Sequence, residues 1–451
     1  MNIHFIAIGG AVMHNLAMAL HIKGYKVSGS DDEIFEPSKS RLDAHGLLPE
    51  KQGWDPTQIT TDLDAVILGM HARPDNPELK KAQEIGLKIY SFPEYLYEQS
   101  KNKLRVAIGG SHGKTTITSM VMHVMKYYKK KFDYMVGSQI EGFDTMVQIT
   151  DDAEIIILEG DEYLSSPIDL RPKFHLYKPH IALLTGIAWD HMNVFPTFES
   201  YLDAFRIFTE VIEPAGKLYY FAGDQFLPEI IEGTPSSVET KAYDTHPHSV
   251  SDEGYHLTVG EGSIRVPMLG RHNMQNIQGA KLICGDIGIS DIQFYKAIQS
   301  FKGAARRQQL LAESENLKVY LDFAHAPSKV KATVEAFREA WPDRKLITFL
   351  ELHTFSSLNK DFLPQYKGSL DKADQAILFF NPDVVRHKNL PPLSPDEVGA
   401  CFEKEGLEVL NSSEMVEEKL LDVGGESSVL LIMSSGNFSG LDLHSIANSL
   451  I

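Results

Sequence analysis

The stretch from Gly109 to Thr116, Gly-Gly-Ser-His-Gly-Lys-Thr-Thr, has the residue types and spacing of a loop that grips phosphate. Glycines allow backbone N–H groups to close around phosphate oxygens at the positive end of the following helix. In such a loop Lys114 reaches the β- and γ-phosphates, and the Thr115 hydroxyl binds Mg²⁺. The glycine that usually opens the motif is replaced by Ile108, so a strand–helix turn without a ligand is the alternative. The predicted phosphate-contacting residues are Gly110, Ser111, His112, Gly113, Lys114, Thr115 and Thr116.

Acidic residues follow the apolar segment 153–158, which predicts a buried strand ending in Glu159-Gly160-Asp161-Glu162. Carboxylates at the carboxyl end of a central strand are where a magnesium site is expected in an open α/β sheet. Solvated acids that simply end a strand are the alternative. His191 follows the predicted strand 180–184 and, taken alone, favours a hydrogen-bonded loop histidine, because Mg²⁺ prefers oxygen ligands.

The N-terminal segment predicts a βαβ unit with Gly9-Gly10 after its first strand and Asp31 after its second. The full dinucleotide fingerprint would need glycines in place of Ala7 and Val12, so binding of a nicotinamide cofactor is weakly supported. A different nucleotide could occupy the same crevice, with Asp31 at a ribose or base. An acid that only closes a structural turn is an equal alternative for Asp31.

The whole pattern predicts three α/β domains with mostly parallel sheets, because strands and helices alternate along the chain. The predicted domains are 1–103, 104–303 and 304–451: a Rossmann-like domain, a central P-loop domain and a second Rossmann-like domain. Residues 236–268 predict a small β region. Asn273, in the segment Gly270–Asn276, could read a base edge or merely cap the next helix.

Composition excludes several classes of protein. The chain has 451 residues and a net charge of −18, with no long run of lysine and arginine, which argues against a nucleic-acid partner. No apolar stretch reaches ~20 residues, so we predict no membrane span. The two cysteines, Cys284 and Cys401, suit a reducing compartment, and we expect a cytoplasmic protein. The sequence leaves the oligomeric state open.

Several motifs, in this order along the whole chain, resemble the Mur ligase family. These enzymes form amide bonds with ATP in peptidoglycan synthesis. The motifs are Ile8-Gly9-Gly10, Gly29-Ser30-Asp31, Gly110–Thr116, Glu159–Tyr163, Asp190-His191-Met192, Gly270–Asn273 with Asn276, Arg306-Arg307 and Asp322–Pro327.

The resemblance implies a role for each predicted site residue. Lys114, Glu159 and His191 would be catalytic, with Thr115 and Glu159 on Mg²⁺ and His191 on a second metal. ATP would lie between the second and third domains, with Asn273 at adenine and Arg307 and Asp322 at phosphate and ribose. The remaining assignments are Gly9, Gly10 and Asp31 at the UDP end of UDP-N-acetylmuramate, and His325 and His353 on the amine side.

Two branches of the family fit: one adds L-alanine to UDP-N-acetylmuramate, and the other adds the tripeptide L-Ala-γ-D-Glu-meso-diaminopimelate. Tyr163 and the segment 169–179 resemble the second, recycling branch. The chain departs from the family pattern at Gly186, Ala188 and Ala326, and it lacks the arginines expected near His353. The alternative from another class of protein is a P-loop regulatory or binding protein that binds a nucleotide but forms no amide bond.

Overall fold

The computed structural model describes residues 1–189, 194–251, 254–301, 303, 307–423 and 427–451. The chain divides into two compact units. The first contains Met1–Ile187, Thr197–Asp244 and Gly279–Phe294, and the second contains Ala188–Pro196, Thr245–Gln278 and Tyr295–Ile451. Within the described ranges, no helix has the length and apolar character needed to cross a bilayer.

The first unit begins with a fully parallel sheet in the order β2-β1-β3-β4. Buried apolar side chains such as Phe5, Ile67 and Leu68 form its strands, and helices connect them. The elements are β1 (Asn2–Ile6), α1 (Ala11–Ile22), β2 (Lys26–Ser30), α2 (Ser38–Ala44), β3 (Ala65–Leu68), α3 (Pro77–Glu84), β4 (Ile89–Ser91) and α4 (Phe92–Ser100). Because β1 lies between β2 and β3, the chain reverses direction across the sheet at β1, where ligands bind in open α/β sheets.

A larger sheet of the same unit has the order β13-β12-β11-β5-β8-β6-β7, and only the β6–β7 pair is antiparallel. Its elements, with a separate β9–β10 hairpin, are β5 (Leu104–Gly109), α5 (Lys114–Tyr127), β6 (Asp133–Met135), β7 (Val147–Gln148), β8 (Ile155–Glu159), β9 (Leu164–Ser166), β10 (Asp169–Pro172), β11 (Ile181–Leu184), α6 (Phe198–Glu210), β12 (Lys217–Phe221), α7 (Leu227–Glu232) and β13 (Glu239–Tyr243). The central strand β5 is buried between β8 and β11, so the loop that follows it opens at the middle of the carboxyl edge.

The second unit contains a small antiparallel sheet, β14-β15-β16, and a six-stranded sheet in the order β17-β18-β22-β19-β20-β21. The latter is parallel except for β17. The elements are β14 (His248–Ser251), β15 (Gly254–Val259), β16 (Gly262–Val266), β17 (Gln309–Glu313), β18 (Leu317–Asp322), α10 (Pro327–Ala340), β19 (Lys345–Leu352), β20 (Gln375–Phe380), α11 (Pro382–His387), α12 (Pro395–Phe402), β21 (Glu408–Leu410), α13 (Ser413–Leu421), β22 (Ser428–Met433) and α14 (Leu443–Ser449). Helices α8 (Arg271–Asp286) and α9 (Asp291–Ile298) have residues in both units.

The α/β class with parallel sheets is confirmed, and one local prediction holds only in part. Strands β14, β15 and β16 form the small β region predicted within 236–268, whereas β13 pairs in parallel with β12 and extends the larger sheet. A helical connection through α7 brings the chain back for parallel pairing.

Candidate functional site

The loop after β5 has the backbone that phosphate binding requires. Gly110 has φ +116°, and a Cβ at that position would lie 2.2 Å from the Thr185 hydroxyl oxygen, so only glycine fits. Gly113, with φ +72°, is the N-cap of α5 and has no side chain to occupy the first N–H groups of the helix. Ser111 N–H donates to the Gly186 carbonyl oxygen at 2.9 Å, and this bond holds the loop against the segment that follows β11.

Lys114, the first residue of α5, lies in a network of buried polar groups. Its Nζ donates to the Gly110 carbonyl oxygen and to Glu162 Oε2, each at 2.6 Å. Burial lowers the Lys114 pKa, but the charges of Glu162 and its acidic neighbours outweigh burial and raise it. Tyr201 donates its hydroxyl to Glu162 Oε1 at 3.0 Å and shares a 2.8 Å bond with Ser111. Lys114 is therefore a protonated cation beside the loop.

Glu159 lies beside the same loop because β8 pairs with β5 in the register Ile108–Glu159. Its carboxylate accepts the Thr115 hydroxyl at 2.7 Å and the Gly137 N–H at 2.8 Å, and the residue is 8% exposed. Two oxygen ligands beside a phosphate loop fit Mg²⁺, which takes one or two carboxylates plus substrate phosphates. Over the described part of the chain, no cluster of three or more histidine, cysteine or acidic residues could hold a metal alone.

Asp31 and the glycine turn meet at the carboxyl edge of β1 and β2. Gly9 N–H donates to Asp31 Oδ2 at 2.7 Å, and a Cβ on Gly9 would lie 2.9 Å from that oxygen. Burial raises the Asp31 pKa to about 6, although the bond from Gly9 opposes the shift. The structure thus brings together Gly9, Gly10 and Asp31, as the βαβ pattern predicts.

Known families match nearly the whole chain in three consecutive parts. The Mur ligase family, catalytic domain matches residues 2–103, the Mur ligase middle domain matches 108–284, and the Mur ligase, glutamate ligase domain matches 306–436. The chain belongs to the Mur ligase family. It is an ATP-dependent ligase of peptidoglycan synthesis that joins an acid to an amino-acid amine.

Individual relatives of this Mur ligase support the same family. The UDP-N-acetylmuramate–L-alanine ligase of Aquifex aeolicus is 27% identical over 451 residues, covering 97% of this chain and 95% of that protein. The enzyme of the same name from Bdellovibrio bacteriovorus is 28% identical over 452 residues, covering 96% of each.

Two solved structures share the fold of this Mur ligase. The UDP-N-acetylmuramate–alanine ligase of Thermotoga maritima aligns with a TM-score of 0.71 at 20% identity, covering 100% of this chain and 98% of that one. A murein peptide ligase from Psychrobacter arcticus aligns with a TM-score of 0.68 at 22% identity and covers 100% of both chains.

The second unit of this Mur ligase brings Asn273 and Asp322 together through Gln308. Asn273 Nδ2 donates to Gln308 Oε1 at 3.1 Å, and the Gln308 N–H donates to Asp322 Oδ2 at 2.8 Å. The Arg307 guanidinium lies over the Phe323 ring, 4.8 Å from its centre. Gln308 could not be predicted from the sequence, because one glutamine without a motif of its own gives no signal.

The two histidines predicted on the amine side follow separate strands of the six-stranded sheet. His325 follows β18 and its Nδ1 lies 2.8 Å from the Phe323 carbonyl oxygen. His353 follows β19, and its Nδ1 lies 3.6 Å from Glu351 Oε1. Burial raises the Glu351 pKa, but bonds from His353, Ser434 and the Phe438 N–H outweigh burial and lower it.

Tyr201 and Gly137 are likewise not predicted from the sequence, and Glu162 is predicted only as part of an acidic run. Tyr201 lies in α6, ninety positions from its partner Ser111, so spacing along the chain could not reveal the pair. His191 and Arg306 lie outside the described residues, and the predicted metal role of His191 stays a prediction.

Proposed function

We propose that this Mur ligase joins UDP-N-acetylmuramate to the tripeptide L-Ala-γ-D-Glu-meso-diaminopimelate in peptidoglycan recycling. Each of the three proposed domains has its own role. Residues 1–103 bind the UDP-sugar, residues 104–303 bind ATP, and residues 304–451 complete the ATP site and bind the amine. The observation that carries a phosphoryl-transfer step is that Lys114 and Glu159 both contact the glycine loop after β5, at Gly110 and at Thr115.

The first step activates the acid. A carboxylate oxygen of the muramoyl group attacks the γ-phosphorus of ATP, the bond to the bridging oxygen breaks, and ADP leaves with that electron pair. The Lys114 ammonium neutralises charge that gathers on the transferring group, which is the main contribution a protein makes to such a step. Mg²⁺, when bound by Thr115 and Glu159, would supply further neutralisation of the phosphates.

The second step forms the amide. The amine nitrogen attacks the carbonyl carbon of the acyl phosphate, the carbon–oxygen bond to phosphate breaks, and inorganic phosphate leaves. The nitrogen loses a proton as the amide forms, and the departing phosphate takes it. We assign His325 and His353 to the amine side because both follow strands at the carboxyl edge of the six-stranded sheet, where ligands bind in such folds.

The choice of the tripeptide rests on Tyr163 and the segment 169–179, which resemble the recycling branch. Lys173 joins the segment 169–179 to the acidic run and to Tyr163. Lys173 Nζ donates to Asp161 Oδ2 at 2.5 Å and lies 5.4 Å from the centre of the Tyr163 ring. The Lys173 N–H also donates to the Tyr163 carbonyl oxygen at 2.9 Å.

Ligation of L-alanine is the second candidate, and the names of the two relatives favour it. The test supplies UDP-N-acetylmuramate, ATP and Mg²⁺ with either the tripeptide or L-alanine, and measures phosphate release together with product mass. We expect the tripeptide adduct. Turnover with L-alanine alone would select the second candidate, and ATP binding without an amide from either amine would reject both candidates. Lys114→Met is the inactive control, with a rate at least ~100-fold lower.

A further inference from the structure

The Glu159 carboxylate is held from two sides by different parts of the first unit. Thr115 in α5 donates its hydroxyl to Oε1, and Gly137 donates its backbone N–H to Oε2. Gly137 belongs to the β6–β7 loop, residues 136–146. A Cβ on Gly137 would lie 3.0 Å from Glu159 Oε1, closer than ordinary packing allows. The position of the β6–β7 loop therefore fixes where this carboxylate lies.

The other end of the β6–β7 loop is bonded to α1 and α2 of the N-terminal sheet. Arg41 Nη1 donates to Gln139 Oε1 at 2.9 Å, and Arg41 Nη2 donates to the Asp144 carbonyl oxygen. The Met146 N–H donates to Asn15 Oδ1 at 2.9 Å, and Asn15 is fully buried. A buried N–H left without a partner is costly, so Asn15 gives the loop one preferred position.

These bonds continue to the glycine turn of the N-terminal sheet. Asn15 Nδ2 lies 2.8 Å from the Ala11 carbonyl oxygen and 2.9 Å from His14 Nε2, and His14 Nδ1 lies 2.9 Å from the Gly10 carbonyl oxygen. A chain of direct hydrogen bonds and one short loop thus leads from Gly10 to Glu159.

We propose that Arg41 and Asn15 are positioning residues for the magnesium–nucleotide site. They do so by holding the β6–β7 loop, whose Gly137 N–H orients the Glu159 carboxylate toward Thr115. The inference rests on the proposed function, in which Glu159 and Thr115 take Mg²⁺. It adds that helices of the N-terminal domain set the geometry of a metal ligand in the central domain.

The experiment measures binding of a nonhydrolysable ATP analogue to the full chain by calorimetry at increasing Mg²⁺, without sugar nucleotide or amine. We expect Arg41→Ala to raise the Mg²⁺ concentration at half-saturation by about 10-fold, the scale seen when a partner of a metal ligand is removed. Binding without Mg²⁺ should change less than about twofold, because the glycine loop itself is untouched. Gly137→Ala should shift the Mg²⁺ titration in the same direction.

Two further variants distinguish a loss of loop positioning from a general loss of folding. Lys39→Ala removes an exposed cation from the same helix, α2, and should match the unmodified chain. Gln139→Ala removes one of the two Arg41 bonds to the loop and should shift the Mg²⁺ titration in the same direction by a smaller factor, still above about twofold, which keeps the test decisive if one variant folds poorly. Hydrogen exchange of the amides in 137–146 should be faster in Arg41→Ala and Gln139→Ala than in the unmodified chain and in Lys39→Ala.

The outcomes distinguish two failures. If the unmodified chain needs Mg²⁺ but Arg41→Ala and Gln139→Ala titrate within about twofold of it, the positioning inference is wrong and the proposed function stands. If analogue binding by the unmodified chain does not depend on Mg²⁺, the assignment of Glu159 fails, and the inference falls with it.

Discussion

Lys114 and Glu162 form an ion pair of 2.6 Å beside the glycine loop, with side chains 14% and 1% exposed. The pair sets up a competition. A γ-phosphate oxygen that accepts a hydrogen bond from the Lys114 ammonium would compete with the Glu162 carboxylate. The Tyr201 hydroxyl donates to this carboxylate and holds it in place. In the proposed site, the γ-phosphate and Glu162 would therefore compete for one ammonium group.

Glu162→Gln should lower the melting temperature and enlarge the stabilisation by a nonhydrolysable ATP analogue. Removing one partner of a buried pair costs on the order of 3–5 kcal/mol, because the other charge remains buried. Phosphate would restore negative charge beside Lys114, so ligand binding should recover part of the loss. Melting curves with and without the analogue measure both effects. Glu229→Gln, at an exposed pair with Arg206, is the matched control. Equal ligand stabilisation in all three proteins would contradict the competition.

Affinity for UDP-N-acetylmuramate should fall as the pH drops through about 6, the raised pKa of Asp31. The charged carboxylate is the stronger acceptor for a ribose hydroxyl, and protonation removes that charge. The free energy of unfolding should change in the opposite direction. Because the Asp31 pKa is raised in the fold, the folded chain binds this proton more tightly than the unfolded chain does. The stabilisation by protonated Asp31 is therefore lost as the pH rises from about 4 to about 6. Calorimetric titrations and melting curves across this range measure the two slopes.

Asp31→Asn is the control for both slopes. The amide does not titrate, so the variant should bind more weakly at pH 7 but show a flatter dependence on pH. A slope that persists unchanged in Asp31→Asn would assign the effect to another group and remove the proposed ribose contact.

The sequence predicts most of this architecture, because apolar runs and glycine turns carry local information. The strands predicted over 153–158 and 180–184 are found as β8 (Ile155–Glu159) and β11 (Ile181–Leu184). The glycine loop, Glu159 and Asp31 are also found at carboxyl strand ends. Residues 236–268 show what a local pattern does not predict. Strands β13 and β14 have similar lengths but belong to different sheets, because tertiary packing rather than local sequence decides which strands pair across a crossover.

Bonds between residues that are distant in sequence could not be predicted. Arg41 meets the Asp144 carbonyl oxygen 103 positions away, and a backbone acceptor leaves no trace in residue type. Gly137 contributes an N–H that any residue type other than proline carries, so only the close approach of Glu159 explains the glycine. The sequence shows the acidic run 159–162, but it does not show which of these acids contacts Lys114, because that depends on the path of the chain after β8.

Gly436→Ala should weaken use of the amine much more than use of ATP. A Cβ at this position would lie 2.7 Å from Glu351 Oε2 and from the His353 ring, so one of them must move. Overpacking of this kind costs about 1–3 kcal/mol, and if His353 gives way we expect the KM for the amine to rise by about 10-fold. Steady-state kinetics with each substrate varied in turn measure the split.

Gly399→Ala is the matched control for Gly436→Ala. Gly399 lies in α12 of the same unit, and its added Cβ would make ordinary contact with Val409 at 3.4 Å. Its kinetic constants should stay close to those of the unmodified chain. An equal rise in the KM for ATP and the amine in Gly436→Ala would contradict an amine-side role for His353.

Arg105→Met should destabilise the protein far more than Arg206→Met, although both arginines form ion pairs. Arg105 is 2% exposed, donates to Glu213 at 2.7 Å and also bonds backbone carbonyls at Ser100, Lys101, Tyr177 and Lys178. Methionine fills the space but leaves these buried acceptors without a donor, a loss on the order of 3 kcal/mol or more. Arg206 pairs with exposed acids, and such pairs contribute about 0–1 kcal/mol each. Denaturant or thermal unfolding compares the two variants. A similar loss of stability in the two variants would mean that the buried Arg105 guanidinium on β5 stabilises the first unit no more than the exposed ion pairs of Arg206 do.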